Sequence, residues 1–133
     1  MMVMLLMGIV MAVSVPAFNS MMRGSDMRSA VSAVRNTVAQ SRQWAITHRE
    51  TVTFCYESFT NYYVTNSVGR IQSTENLPRS VRFASDGSVS TVTFKADGGL
   101  AGGTTTVTIT LDSSHGSNKY ISVNGLTGGI SVK

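Results

Sequence analysis

Residues 27–56, MRSAVSAVRNTVAQSRQWAITHRETVTFCY, contain the change of period that decides the fold. Met27, Val31, Val34, Val38, Ser41 and Ala45 recur at alternating steps of four and three, a narrow apolar seam on one helix face. Ser29, Asn36, Gln40 and Gln43 fall between them, and neither Gly nor Pro interrupts Ser25–Arg49. After Glu50 the period drops to two, so that Val52, Phe54 and Tyr56 share one face of a strand. A striped helix running directly into a half-apolar strand predicts that the sheet covers the seam.

The alternation continues downstream. Val107, Ile109 and Leu111 alternate with Thr106, Thr108 and Thr110; Val92 and Phe94 with Thr91, Thr93 and Lys95; Ile121 and Val123 with Tyr120 and Ser122. Turn-forming clusters separate these runs: Asn66-Ser67-Val68-Gly69, Asp86-Gly87, Asp97-Gly98-Gly99 and Asn124-Gly125. Strands with one apolar face require a cover on that face. The expected fold is therefore α+β, a long N-terminal helix packed on an antiparallel β-sheet spanning 51–133.

Upstream of the seam the pattern is different. From Met1 to Phe18 only Ser14 is clearly polar, and no charge precedes Arg23. A secretory signal would place Lys or Arg before the apolar run; here only Val15-Pro16-Ala17 resembles a cleavage site. The run before Pro16 has 15 residues, slightly short of the roughly 20 that a spanning helix needs. Gly8 and Gly24 each cost about 1 kcal/mol relative to Ala, and Pro16 removes one backbone donor, which kinks or loosens a helix. The chain from Met1 to about Arg49 thus predicts one continuous helix about 70 Å long. Residues 1–22 form a hydrophobic membrane or filament-core segment carrying Met4, Leu5, Leu6, Ile9, Val10, Val13, Pro16 and Phe18. Residues 23–133 form the globular domain, its amphipathic helix at 23–49. All eight methionines lie at or before Met27, which suits a soft, greasy packing surface.

With 133 residues the chain is one modest domain with an appendage. Its net charge of +4 divides unevenly: residues 1–50 hold five Arg against Asp26 and Glu50, and residues 51–133 hold six Lys/Arg against five acids, giving +3 and +1. Arg28, Arg35, Arg42 and Arg49 are spaced by seven and form a stripe beside the seam. Either their stems cover the flank of the seam or the stripe meets acidic groups of a neighbouring subunit or an anionic polymer. Cys55 stands alone, so there is no disulfide framework, and it is read as a small strand residue. His48 and His115 are too isolated to ligate a metal. Asp86, Asp97 and Asp112 lie in or beside turns, without the clustering of a calcium loop. Gly98–Gly103 (GGLAGG) leads into a strand rather than a helix, so it lacks a phosphate-cradling context and is read as a flexible connection. Trp44 is expected at the helix–sheet junction. No constellation points to catalysis, a metal or another cofactor.

The stretches AVSVPAF (12–18), VRNTVAQSRQWAITHRETVTFC (34–55), VTFKADGGLAGGTTTVTITL (92–111) and ISVNGLTGGISVK (121–133) resemble the type IV pilin superfamily. Within it they are similar to the group of pseudopilin H and FimT-like minor pilins. The resemblance implies a structural subunit, stored in the inner membrane with its globular domain in the periplasm and then built into a filament by helix–helix packing. Its partners would be other pseudopilins or pilins and an inner-membrane assembly platform. The register of Pro16 puts the superfamily's leader and its Glu upstream of Met1, so prepilin peptidase and methylation are implied if the true start lies upstream. A second reading is a FimT-like tip pilin binding DNA or exoprotein. Some FimT-like proteins bind DNA through an Arg-containing C-terminal motif; the matching Thr127-Gly128-Gly129-Ile130-Ser131 has no Arg, so nucleic-acid binding is not carried over.

Overall fold

The computed structural model describes residues 2–56, 59–84, 91–102, 106–113, 116 and 118–133, and the side chains of these except 2, 5 and 11–23. The expected turn at Asp86-Gly87, and His115, lie outside this set.

One helix, α1 (Met2–His48), runs unbroken through Pro16 and Gly24. Eight strands follow: β1 (Val52–Tyr56), β2 (Asn61–Asn66), β3 (Arg70–Asn76), β4 (Val81–Phe83), β5 (Thr91–Phe94), β6 (Thr106–Ser113), β7 (Asn118–Asn124) and β8 (Ile130–Val132). The α+β class and the antiparallel pairing are as expected. The single sheet is corrected to two four-stranded sheets, ordered β3-β2-β1-β5 and β4-β6-β7-β8. Alternation states which side of a strand is apolar but not which strand lies beside it.

The seam is buried as its period requires. Ala30, Val34, Val38 and Ala45 are fully buried, Met27 and Ser41 nearly so, and Val31 half-buried. Ala30 and Thr37 also belong to it. Thr37 and Ser41 satisfy their hydroxyls within the helix, donating to Ala33 O (3.0 Å) and Thr37 O (2.7 Å), so they add no orphaned donor to the apolar face. Against this face lie Val52 and Phe54 of β1, Val92 and Phe94 of β5, Ile109 and Leu111 of β6, and Ile121 and Val123 of β7, in one cluster shared by both sheets. An aromatic chain joins the sheets. Phe83 of β4 stacks on Tyr56 (4.6 Å) and meets the edge of Tyr62 (6.2 Å), and Tyr62 packs on Phe54 (5.7 Å).

Helix α1 stops one residue before the expected end. Arg49 has a left-handed φ of 54°, and Glu50 N donates to Ala45 O at 3.2 Å. This is a Schellman closure with Arg in the place usually taken by Gly. Side-chain bonds then tie the two ends of the packed segment to a loop and to the end of β2: Ser80 Oγ donates to Asp26 Oδ2 (2.8 Å) and Asn66 Nδ2 to Glu50 Oε2 (3.0 Å).

Candidate functional site

The four arginines do not share one environment. Arg28 and Arg35 are exposed on α1. Arg49 is exposed too, but the left-handed turn has carried its backbone off the helix, so it does not extend their row. Arg42 is half-buried, and its Nε donates to Gly98 O at 3.1 Å.

Two turns build the Arg42 contact. Asp97 Oδ1 accepts from Gly99 N (2.8 Å), which tightens the turn after β5, and Leu100 N donates to Gly125 O (2.8 Å), joining it to the turn after β7. In that second turn Asn124 Oδ1 accepts from Leu126 N (3.0 Å) and Thr127 N (3.2 Å). Gly98 has φ 84°, and a Cβ there would stand 2.8 Å from Ile46 Cδ1. Gly128 has φ 63°, and a Cβ on it would run into Gly98 O and Arg42 Nε. The first part of the connection expected to be flexible is therefore a tight turn pressed against the helix.

A groove runs along the same flank of α1. One segment, about 290 Å³, has Met27, Val31 and Val132 as an apolar floor, with Arg28, Arg35 and Lys119 around it. A second, about 300 Å³, continues past Arg35, Ala39 and Gln43 to Gly129 and Ile130. Among the described residues no carboxylate lines either segment. Lys119 escaped the sequence reading because it lies on β7, with no period linking it to the helix arginines. Its only signal is that it shares a strand face with Ile121 and Val123.

Other candidates have structural settings. Cys55 is half-buried opposite Tyr63; burial pushes its thiol up, a hydrogen bond from Thr65 offsets part of that, and the reactive thiolate is scarce at neutral pH. Trp44 is half-buried against the core, its ring stacked on His48 at 4.1 Å, with its buried Nε1 lacking a partner among the described residues. Tyr62 Oη donates to Glu75 Oε2 at 2.7 Å, and burial followed by that carboxylate pushes the phenol up to about 12. Among the described residues no three His, Cys, Asp or Glu gather as a metal site.

Of the hydrophobic segment, Met4, Leu6, Ile9 and Val10 are exposed on α1, as are Val3 and Met7. The side chains of Leu5, Val13, Pro16 and Phe18 are outside the described set. Among the described residues no helix is long and apolar enough to cross a membrane.

Residues 30–128 match the family model described as Type II transport protein GspH. The chain belongs to this family. It is thereby a member of the type IV pilin superfamily, among the minor pseudopilins and pilins. The GspH match begins in the buried part of α1 and ends in the turn before β8, so it covers most of the packed domain, leaving out Met27, β8 and the apolar segment. Two crystal structures of the type IV minor pilin FimU from Pseudomonas aeruginosa PAO1 share the fold. One has a TM-score of 0.67 at 16% identity, covering 82% of this chain and 89% of FimU. The other has a TM-score of 0.65 at 16% identity, covering 80% and 91%. No curated protein matches significantly. The pilin-like architecture is thus shared at an identity too low to carry over individual side-chain roles.

Proposed function

We propose that this GspH-family chain is a structural minor pseudopilin or pilin, held in the inner membrane by residues 1–22 and recruited into a type II secretion pseudopilus or type IV pilus. The observation that carries this reading is a contrast in exposure. Val3, Met4, Leu6, Met7, Ile9 and Val10 are 56–83% exposed on a helix that has no charge before Arg23. A monomer in water would leave that apolar rod uncovered. Lipid covers it during storage, and the equivalent helices of neighbouring subunits cover it in a filament, where close packing replaces lipid contacts. The domain from 23 onward then faces the periplasm and sets where the subunit fits, with other pilins and the inner-membrane assembly platform as partners. The role is structural rather than enzymatic.

The test is fractionation of the host expressing the full chain, wild type or carrying Leu6→Asp with Ile9→Asp. An acid at mid-helix costs roughly 2.5–3.5 kcal/mol on insertion. The variant should move out of the membrane fraction and cease to co-purify with other pilins while its domain stays folded. Unchanged fractionation would refute the anchor.

A further inference from the structure

We propose that the groove between α1 and β8 is the docking site for an extended acidic segment of a different partner subunit, which adds to β8 as a further strand. The proposal deepens the subunit reading above and rests on it for the source of the segment.

The first observation is the open edge of β8. Tyr120 and Lys133 exchange both main-chain bonds (3.0 and 2.9 Å), and Asn124 N donates to Gly129 O (2.8 Å). Bonded pairs alternate with non-bonded pairs in an antiparallel ladder. Val132 opposite Ile121, and Ile130 opposite Val123, therefore direct their N–H and C=O groups away from β7. No described residue takes these groups, and β8 closes its sheet on that side. Such an edge is a template for an incoming strand.

The second observation is the chemistry beside that edge. Lys119, Ile121 and Val123 share the face of β7 that their pairing also gives Ile130 and Val132. A strand added beyond β8 would aim alternate side chains from this face toward the flank of α1. There they meet the apolar floor of Val31 and Val132 and the cations Arg28, Arg35 and Lys119. Arg28 and Arg35 lie about 10 Å apart along the helix, between the roughly 7 and 13 Å that separate side chains two and four residues apart on one strand face. No acid among the described residues forms an ion pair with any of the three cations. The groove thus selects carboxylates interleaved with apolar groups on one strand face.

The third observation excludes a second copy of this chain. Its seven acids are dispersed, the nearest two being Glu50 and Glu57, and its net charge is +4. Within residues 1–133 no acidic extended segment is available to donate, so the proposed segment belongs to another protein.

The test is a titration of the full chain in detergent micelles with the blocked peptide SDSVSDSVS, whose even positions place two carboxylates and two valines on one strand face. Expected results are saturable binding at low salt, none for SKSVSKSVS, and slowed amide exchange at Ile130 and Val132. R28Q/R35Q/K119Q should weaken binding at least roughly tenfold. Val132→Pro should weaken it several-fold at unchanged melting temperature, because the lost N–H points away from β7. Absent binding, or binding indifferent to the triple variant, would overturn the proposal. Indifference to Val132→Pro would overturn strand addition. Tighter binding of single-stranded oligothymidine, lost in the triple variant, would make the groove a nucleic-acid surface instead. Failure of the subunit reading shows separately, as unchanged fractionation of the Leu6→Asp, Ile9→Asp variant, which this titration does not measure.

Discussion

Residues 3–10 and 27–45 belong to one helix and meet opposite surroundings. In the second segment Ala30, Val34, Val38 and Ala45 are fully buried beneath both sheets; in the first, Val3, Met4, Leu6, Met7, Ile9 and Val10 present apolar side chains outward. Propensity cannot account for the difference, since both segments are helical. The packed half derives its stability from area removed from water within the chain. The apolar half has no such cover in the isolated chain and depends on its surroundings. A subunit built in this way can leave one environment for another without refolding its domain.

One substitution applied to both halves tests this comparison most severely. Val34→Asp buries an unpaired charge and should destabilise the domain by more than about 4 kcal/mol, so that the cooperative urea transition is lost. Leu6→Asp should leave that transition within about 0.5 kcal/mol of wild type. Equal effects in the two positions would break the distinction.

The next largest effect is expected at the junction of helix and turns. Gly128→Ala imposes a Cβ on a left-handed residue, which costs about 1–2 kcal/mol, and the collision with Gly98 O and Arg42 adds to it. A lowered melting temperature should accompany it, together with weaker protection of the Asn124–Gly129 amides in hydrogen exchange.

Within the arginine row, Arg42→Gln should cost about 1–3 kcal/mol by removing the donor to Gly98 O. Arg28→Gln and Arg35→Gln should stay within about 0.5 kcal/mol. Urea midpoints would check both, and a similar loss at Arg35 would mean that the exposed arginines also serve the fold.

The smallest effect concerns Tyr62. Its folded pKa is raised to about 12 from the usual 10, so the neutral phenol is the form the fold favours. The stability it contributes is complete below pH 10 and is lost as pH rises through 12. Wild type should lose stability across that window more steeply than Tyr62→Phe, in urea midpoints measured at each pH.

Much of the fold was legible in the sequence because periodicity is a local property of the backbone. The seam emerged nearly complete, lacking Ala30 and Thr37, whose small or self-satisfied side chains resemble helix surface. The inner faces of β1, β5, β6 and β7 followed from alternation. The β2–β3 hairpin was marked only by its turn at Asn66–Gly69, and β3 carries register shifts against β2 that blur its pattern. Of the candidate surface, the helix arginines were visible by spacing. The turns that capture Arg42, and Lys119 across the groove, were not.

The sequence by itself determined the helix, its division into an apolar rod and a striped half, and the apolar face of the principal strands. Each depends on side chains a few residues apart, which 3.6- and 2-residue periods bring together. Only the tertiary structure decided that the strands form two sheets, that Arg42 supports the fold while Arg28 and Arg35 remain exposed, and that β8 leaves an open edge beside them. Those outcomes depend on which loop or strand lies across from a residue, and that is set by the joint burial of segments distant in the chain.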